Sequence, residues 1–213
     1  MNAELALREL SHRVSNDLAA AASLLRLHRR AVTDTSALHA LDDAAAALDA
    51  IALVHRAVEP RTDAAGVELS GYLSRLTATL AEACLKPLGV DCRADVEPRF
   101  VPARTARALG LITCELVRNA AKHAYPDGRK GTVLVRFTIR DARCRLEVVD
   151  DGAGGGGPLT AAGEGARILQ RLADSISAEL TRSMGTGGSG TRVSLCFGEP
   201  DRELDHHQQR RMA

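Results

Sequence analysis

Neither proline nor glycine occurs in the first quarter of this 213-residue chain; the first of each is Pro60 and Gly66. The two strongest helix breakers are thus missing from a stretch dense in Ala, Leu and Arg, and long helices are expected there. Tryptophan is absent and aromatic residues make up 2% of the chain, which leaves no stacking platform for single-stranded nucleic acid. Neither sign of charge is in excess: 28 Lys and Arg stand against 27 Asp and Glu, a formal net charge of +1. No global field recommends nucleic acid or an anionic membrane as a partner, so any anionic ligand has to be held locally. The five cysteines, Cys84, Cys92, Cys114, Cys144 and Cys196, are scattered and never form a CxxC pair. Neither a disulfide framework nor a zinc site is expected; they read as small buried residues in a reducing compartment. No segment reaches the ~18 uninterrupted apolar residues of a membrane span, and the start MNAELALREL lacks a basic segment leading into an apolar run. A cytoplasmic protein is the expectation.

What is present divides the chain into three. One apolar stripe runs through Leu7, Leu10, Val14, Leu18, Ala21, Leu24 and Leu25, and a second through Leu38, Leu41, Ala45, Leu48, Ile51, Val54 and Val58. Apart from the adjacent Leu24 and Leu25, both advance by three or four residues, the helical period. Between them AVTDTS offers Thr33, Asp34 and Thr35 as N-caps, so residues 1–63 form a helical hairpin. With Leu27 and Leu53 flanking them, the stripes are wide for one partner each, and pairing of two copies into a four-helix bundle is the usual remedy. A homodimer is expected.

From 64 to 198 the texture is mixed. RTDAAGVELS reads as a connector, GYLSRLTATLAEAC as a helix, DCRADV as a strand, EPRFVP as a loop and RTARALGLITCELVRNAAKHA as a long helix. TVLVRFTIR and RCRLEVVD alternate apolar and polar residues across a short turn, which makes a hairpin. After the glycine-rich DGAGGGGPLTAAGEGA come the helix ARILQRLADSI and strands around SAELTRS and TRVSLCF. Residues 199–213 form a polar tail, expected to be loose.

Three segments carry chemistry. In ELVRNAAKHA, Glu115 and Asn119 stack at i and i+4 with Lys122 alongside and His123 next to it. A carboxylate, a carboxamide and an ammonium together suit hydrated Mg²⁺ and phosphate oxygens, though alone such a set reads more readily as a solvated helix face. In VVDDGAGGGG, Asp150 ends an apolar strand, followed by Gly152 and Gly154. A buried carboxylate accepts from an amino group such as that of adenine, and glycines admit a close ligand; a plain strand-end loop explains the same residues. GGSGTRVSLCF repeats the pattern and has the same plainer explanation.

Together, ELVRNAAKHA, DDGAG, GEGARIL and GGSGTRV resemble the N box and the three glycine boxes of the GHKL-type ATP-binding domain, an α/β sandwich with a flexible lid. ELSHRVSNDLAAAASLLRLHRR, with IALVHRAV closing the second helix, is similar to the dimerisation and phosphoacceptor hairpin of the histidine kinases whose signature reads HRVKN. The resemblance implies an α+β chain: a dimeric helical hairpin followed by a GHKL-type sandwich, acting as a two-component histidine kinase core. It makes His12 the phosphoacceptor, attacking the γ-phosphorus of ATP with an imidazole nitrogen. Glu9 and Asn16, at i−3 and i+4, would orient the imidazole or take its proton. The resemblance further makes Asn119 the Mg²⁺ ligand, has Glu115 polarise a water or the nucleophile, and sets Lys122 and His123 beside the nucleotide. Asp150 would select adenine, Gly152 and Gly154 make room for the nucleotide, Gly163 and Gly165 anchor the lid at a helix N-terminus, and Gly188, Gly190 and Thr191 line the base end.

Two departures stand out. Ser15 replaces the signature Lys, removing a positive charge near the phosphoryl group, and Glu164 adds a negative charge between the lid glycines. The partners implied are a second copy and a response-regulator receiver domain, with no nucleic acid; the sensory input is either a separate protein or a domain of a longer chain of which this is a fragment. Two alternatives remain. One is a passive phosphotransfer protein with a degenerate ATPase domain, against which Asn119, Asp150, Gly152 and Gly154 argue. The other is an anti-sigma type serine kinase, against which the His12 hairpin argues.

Overall fold

The computed structural model describes residues 2–58, 66–154, 164–185 and 188–199. The connector, most of the glycine-rich segment with Gly163, and the tail beyond Glu199 lie outside the described residues. By contacts the chain divides into two compact units, Met1–Ala64 and Ala65–Ala213.

The first unit is a pair of helices, α1 (Asn2–Arg29) and α2 (Thr35–Ala57). Of the three cap candidates Asp34 takes the role: its Oδ1 accepts the Ala37 N–H at 2.8 Å. Small residues meet where the helices touch, with Ser15 and Ala22 from α1 and Ala45 and Ala52 from α2 all buried. Short side chains let the axes approach closely, and two ion pairs, Arg29 to Asp42 at 2.6 Å and Arg26 to Asp49, fix the register near the turn. Leu10, Val14, Leu24, Leu27 and Ile51 are left exposed.

The second unit is a five-stranded sheet covered on one face by helices. Its strands are β2 (Val90–Val96), β4 (Gly131–Arg140), β5 (Arg143–Asp150), β6 (Glu179–Met184) and β7 (Thr191–Gly198), in the spatial order β2-β4-β5-β7-β6. β2 runs parallel to β4, which requires the long crossover through α4 (Ala103–His123); the other neighbours are antiparallel. The β4–β5 turn is two residues, Asp141 and Ala142, both with positive φ (50° and 57°), the twist that a tight hairpin demands. Alternate residues on one sheet face form the core: Val133, Val135 and Phe137 from β4, Leu146 and Val148 from β5, Val193, Leu195 and Phe197 from β7. They meet Leu69, Tyr72, Leu73 and Leu76 of α3 (Leu69–Leu80), Leu109 and Ile112 of α4, and Leu169 and Ala173 of α5 (Glu164–Ser175).

Two details differ from the sequence reading. The connector and the Pro-flanked loop each contain a two-residue strand, β1 (Val67–Glu68) and β3 (Phe100–Val101), paired antiparallel. Two residues are too few to show a period. The helix between them is shorter than its apolar pattern: α3 ends at Leu80, and Ala81–Leu85 and Lys86–Leu88 continue as a π turn and a 3₁₀ turn. Pro87 lacks the N–H that an α-helix would need there.

Candidate functional site

α4 supplies one wall. Its buried stripe of Leu109, Ile112, Leu116, Val117 and Ala120 leaves Glu115 and Asn119 on the rim, half-buried. Asn119 Nδ2 donates to Glu115 Oε1 at 3.2 Å, and Arg118 stands 4.0 Å from Oε2 of the same carboxylate. Lys122 and His123 are exposed in the last turn. Spacing thus found the carboxylate and carboxamide that touch, but not Arg118. Gly165, the second residue of α5, faces the same carboxylate: a Cβ on it would lie 2.6 Å from Glu115 Oε1. The positive end of the α5 dipole favours a carboxylate at that place.

The other wall is the end of β5. Asp150 is 7% exposed, and its Oδ1 accepts the backbone N–H groups of Gly152 and Thr191, each at 3.1 Å. Its Oδ2 accepts from none of the described residues. Burial raises the carboxyl pKa above its ordinary value, more than the two amides lower it; the charge of Asp151 adds to the rise and Arg182 opposes it. Gly190, at φ +72°, is required twice over, because its backbone is left-handed and a Cβ would collide with the Asp150 carbonyl. The space at Gly152, read from the sequence as room for a ligand, is filled by the Ala124 carbonyl, which accepts the Ala153 N–H at 2.8 Å. Gly154 lies against the Gly190 backbone, and Gly188 is exposed with open space around it. Thr191 acts through its main-chain N–H.

A carboxylate with one oxygen fixed and the other open is suited to an exocyclic amino group. The oxygens of Glu115 and the Asn119 amide are donors of the kind that hard divalent cations take. Among the described residues no group of three or more His, Cys, Asp or Glu side chains could hold a metal ion. A cation here would need phosphate oxygens or waters to complete its shell, so the donor set fits Mg²⁺ carried by a nucleotide.

In the helical unit, His12 is exposed on α1 and its ring makes no hydrogen bond among the described residues. The sequence reading set Glu9 beside the imidazole. In the structure Glu9 Oε1 instead accepts from Arg13, at 3.1 Å from Nε and 3.0 Å from Nη2. A guanidinium at i+4 is the better partner for a carboxylate on an exposed helix. Asn16, one turn after His12, is exposed. Ser15, where the signature has Lys, is fully buried, with Oγ 3.4 Å from Nδ1 of His55 on α2. The departure from the signature is therefore an interior one. Residues that sequence reading passed over are Tyr125, Asp151 and Gly131, which lie between the two walls; the doublet Asp150-Asp151 was their one visible trace.

Residues 9–84 match the family model described as histidine kinase, and residues 93–197 match the one described as histidine kinase-like ATPase domain. Blue-light-activated histidine kinase 2 of Erythrobacter litoralis is 28% identical over 198 residues, covering 89% of this chain and 56% of the relative. Sensor histidine kinase PdtaS of Mycobacterium tuberculosis is 32% identical over 184 residues, covering 84% of this chain and 36% of the relative. The chain thus spans about half or less of the length of these curated relatives. Among solved structures, the histidine kinase domain of the Erythrobacter litoralis EL346 blue-light activated histidine kinase superposes with a TM-score of 0.66 at 23% identity, covering 86% of this chain and 96% of that one. The longer EL346 structure gives 0.68 at 23% identity, covering 95% and 62%. At that identity the likeness speaks for the fold. Among the described residues no helix is long and apolar enough to cross a membrane. The chain belongs to the histidine kinase family, and its second unit is a GHKL-type histidine kinase-like ATPase domain.

Proposed function

We propose that this chain is the core of a two-component sensor histidine kinase: it moves the γ-phosphoryl group of ATP onto His12 and passes it to an aspartate of a response-regulator receiver domain. The observation that carries the reading is Asp150, buried, with Oδ1 clamped by two backbone amides and Oδ2 open, at the end of the sheet in a GHKL-type domain. Oδ2 accepts the amino group of adenine, and the amide clamp keeps the carboxylate from turning away. Glu115 and Asn119 face the phosphates; Asn119 holds Mg²⁺, and Glu115 orients a water or the nucleophile. When bound, Mg²⁺ neutralises phosphate charge. Lys122 and His123 add cationic or donor groups at the exposed end of α4, while Gly163, Gly165, Gly188, Gly190 and Thr191 frame the nucleotide. His12 contributes the nucleophilic nitrogen, the bond from phosphorus to the ADP oxygen breaks, and the imidazole proton passes to solvent or to a base. Asn16 orients the ring. Glu9 does so only when released from Arg13.

The exposed Leu10, Val14, Leu24, Leu27 and Ile51 support a homodimer joined through the helical pair. Sensory input comes from a partner or from a segment beyond this core. The test is incubation with Mg·ATP labelled in the γ-phosphate. The wild type acquires a label that acid removes, while His12→Gln and Asp150→Asn acquire none. An acid-stable label would point to a serine kinase, and absence of nucleotide affinity to a passive phosphotransfer protein.

A further inference from the structure

Tyr125 and Asp151 have no part in the roles above, yet they join the two walls of the site. Tyr125 lies just past α4 and is 6% exposed. Its hydroxyl is 2.9 Å from the Thr132 carbonyl and 3.1 Å from Asp151 Oδ1, and that same Oδ1 accepts the Thr132 N–H at 2.8 Å. A phenol has one proton to donate and both of its neighbours are acceptors, so the proton is shared between them. Burial, followed by the negative charge of Asp151, raises the phenol pKa above its usual value, which keeps it a donor. Gly131 leaves the room: a Cβ there would collide with both the Tyr125 ring and Asp151 Oδ1. Beside this contact, Ala153 N–H donates to Ala124 O at 2.8 Å. The end of α4 is thereby tied to residues 151–153, directly after Asp150, while Thr191 holds Asp150 from the β7 side.

We infer that Tyr125 and Asp151 are a positioning pair that fixes the distance between the Asp150 carboxylate and the phosphate-facing residues of α4. The inference rests on the nucleotide reading above. Glu115, Asn119 and Lys122 move with α4, whereas Asp150 moves with β5. A ligand that touches both walls gains the sum of its contacts only if their separation is preset, because hydrogen bonds weaken over a few tenths of an ångström. A loosened tie leaves the contacts at each wall possible but makes them harder to satisfy together.

This separates a positioning role from a merely structural one. Dissociation constants for adenosine, which reaches Asp150 alone, and for Mg·ATP, which reaches both walls, are measured by calorimetry on the full chain. In Tyr125→Phe and Asp151→Ala the ratio of the two constants shrinks by about fivefold, the net worth of one hydrogen bond. Combining them adds little, because both cut the same tie. Asp151→Asn, whose Oδ1 still accepts both donors, keeps the wild-type ratio. Equal weakening of both ligands, with the ratio unchanged, overturns the inference. Should Tyr125→Phe fail to fold, the exposed Asp151 variants decide alone. A wild type with no affinity for either ligand overturns the nucleotide reading, and this inference with it.

Discussion

The two units bury different kinds of residue. In Met1–Ala64 the side chains withdrawn from solvent are mostly small, Ser15, Ala22, Ala45 and Ala52, while Leu10, Leu24 and Leu27 stand 58%, 57% and 57% exposed. In Ala65–Ala213 the order is reversed: Tyr72, Phe137, Leu69, Leu73, Leu109, Ile112, Leu146 and Leu195 are almost wholly buried. Burial stabilises by about 25 cal/mol per Å² of apolar surface, so a seam of alanine and serine contributes little per residue and a leucine core contributes much. The mixed unit closes its own interior. The helical pair spends its small residues on close approach and leaves its leucines for another surface.

The largest effect should therefore come from the leucines outside the pair. Leu24→Asp combined with Leu27→Asp removes two side chains, each worth about 1.5–3 kcal/mol when buried. The variant is expected to run as a monomer in sedimentation and to lose helical signal, while the mixed unit keeps its unfolding transition. Unchanged mass and melting would erase the contrast between the units.

Next in size is Asp150→Asn. The amide oxygen still accepts from Gly152 and Thr191, but the open acceptor becomes a donor, so affinity for adenine nucleotides should fall about 100-fold with the helical unit untouched. Its effect on stability has the opposite sign. Burial raises the Asp150 pKa above the ordinary 3.8, so between those two values the folded protein holds more protons than the unfolded chain, and stability declines as pH rises through that window. Relative to wild type, the ligand-free variant should gain Tm as pH climbs from below 3.8 toward neutrality. A relative loss of Tm over that range would mean that the charged carboxylate is held more favourably than its burial implies.

The smallest effect lies far from the site. Ala142 has φ 57° in the β4–β5 turn, a left-handed conformation that costs an L-residue about 1–2 kcal/mol and glycine nothing. Ala142→Gly should stabilise the mixed unit by about 1 kcal/mol in denaturant titration, after the entropy of the added glycine is set against it. The helical unit should not respond.

The same contrast governs what could be read from the chain. The helical pair was legible because its signals are local: no Pro or Gly, a stripe of regular period, and Asp34 at the cap. The β4–β5 hairpin was legible for the same reason. β1 and β3 were not, since two residues carry no period and their pairing joins positions more than thirty residues apart. In the site, Glu115 and Asn119 announce themselves at i and i+4, and Asp150 by ending an apolar strand. Tyr125 and Asp151 meet across 26 residues, and their one visible trace, the doublet Asp150-Asp151, says nothing of that contact or of the glycine at 131 that makes room for it. Ser15 was visible as a departure from the signature, but its burial against α2 depends on which face the second helix covers.

The account turns on His12 and the Asp150 wall serving one reaction. Peptide mapping after incubation of the full chain with Mg·ATP, carried out at neutral pH to spare an acid-labile bond, tests this most directly. The account predicts one phosphoryl group, on the peptide bearing His12, and none when Asp150 is Asn. Phosphate on a serine or threonine, or on His12 in the Asp150→Asn protein at wild-type yield, would contradict it.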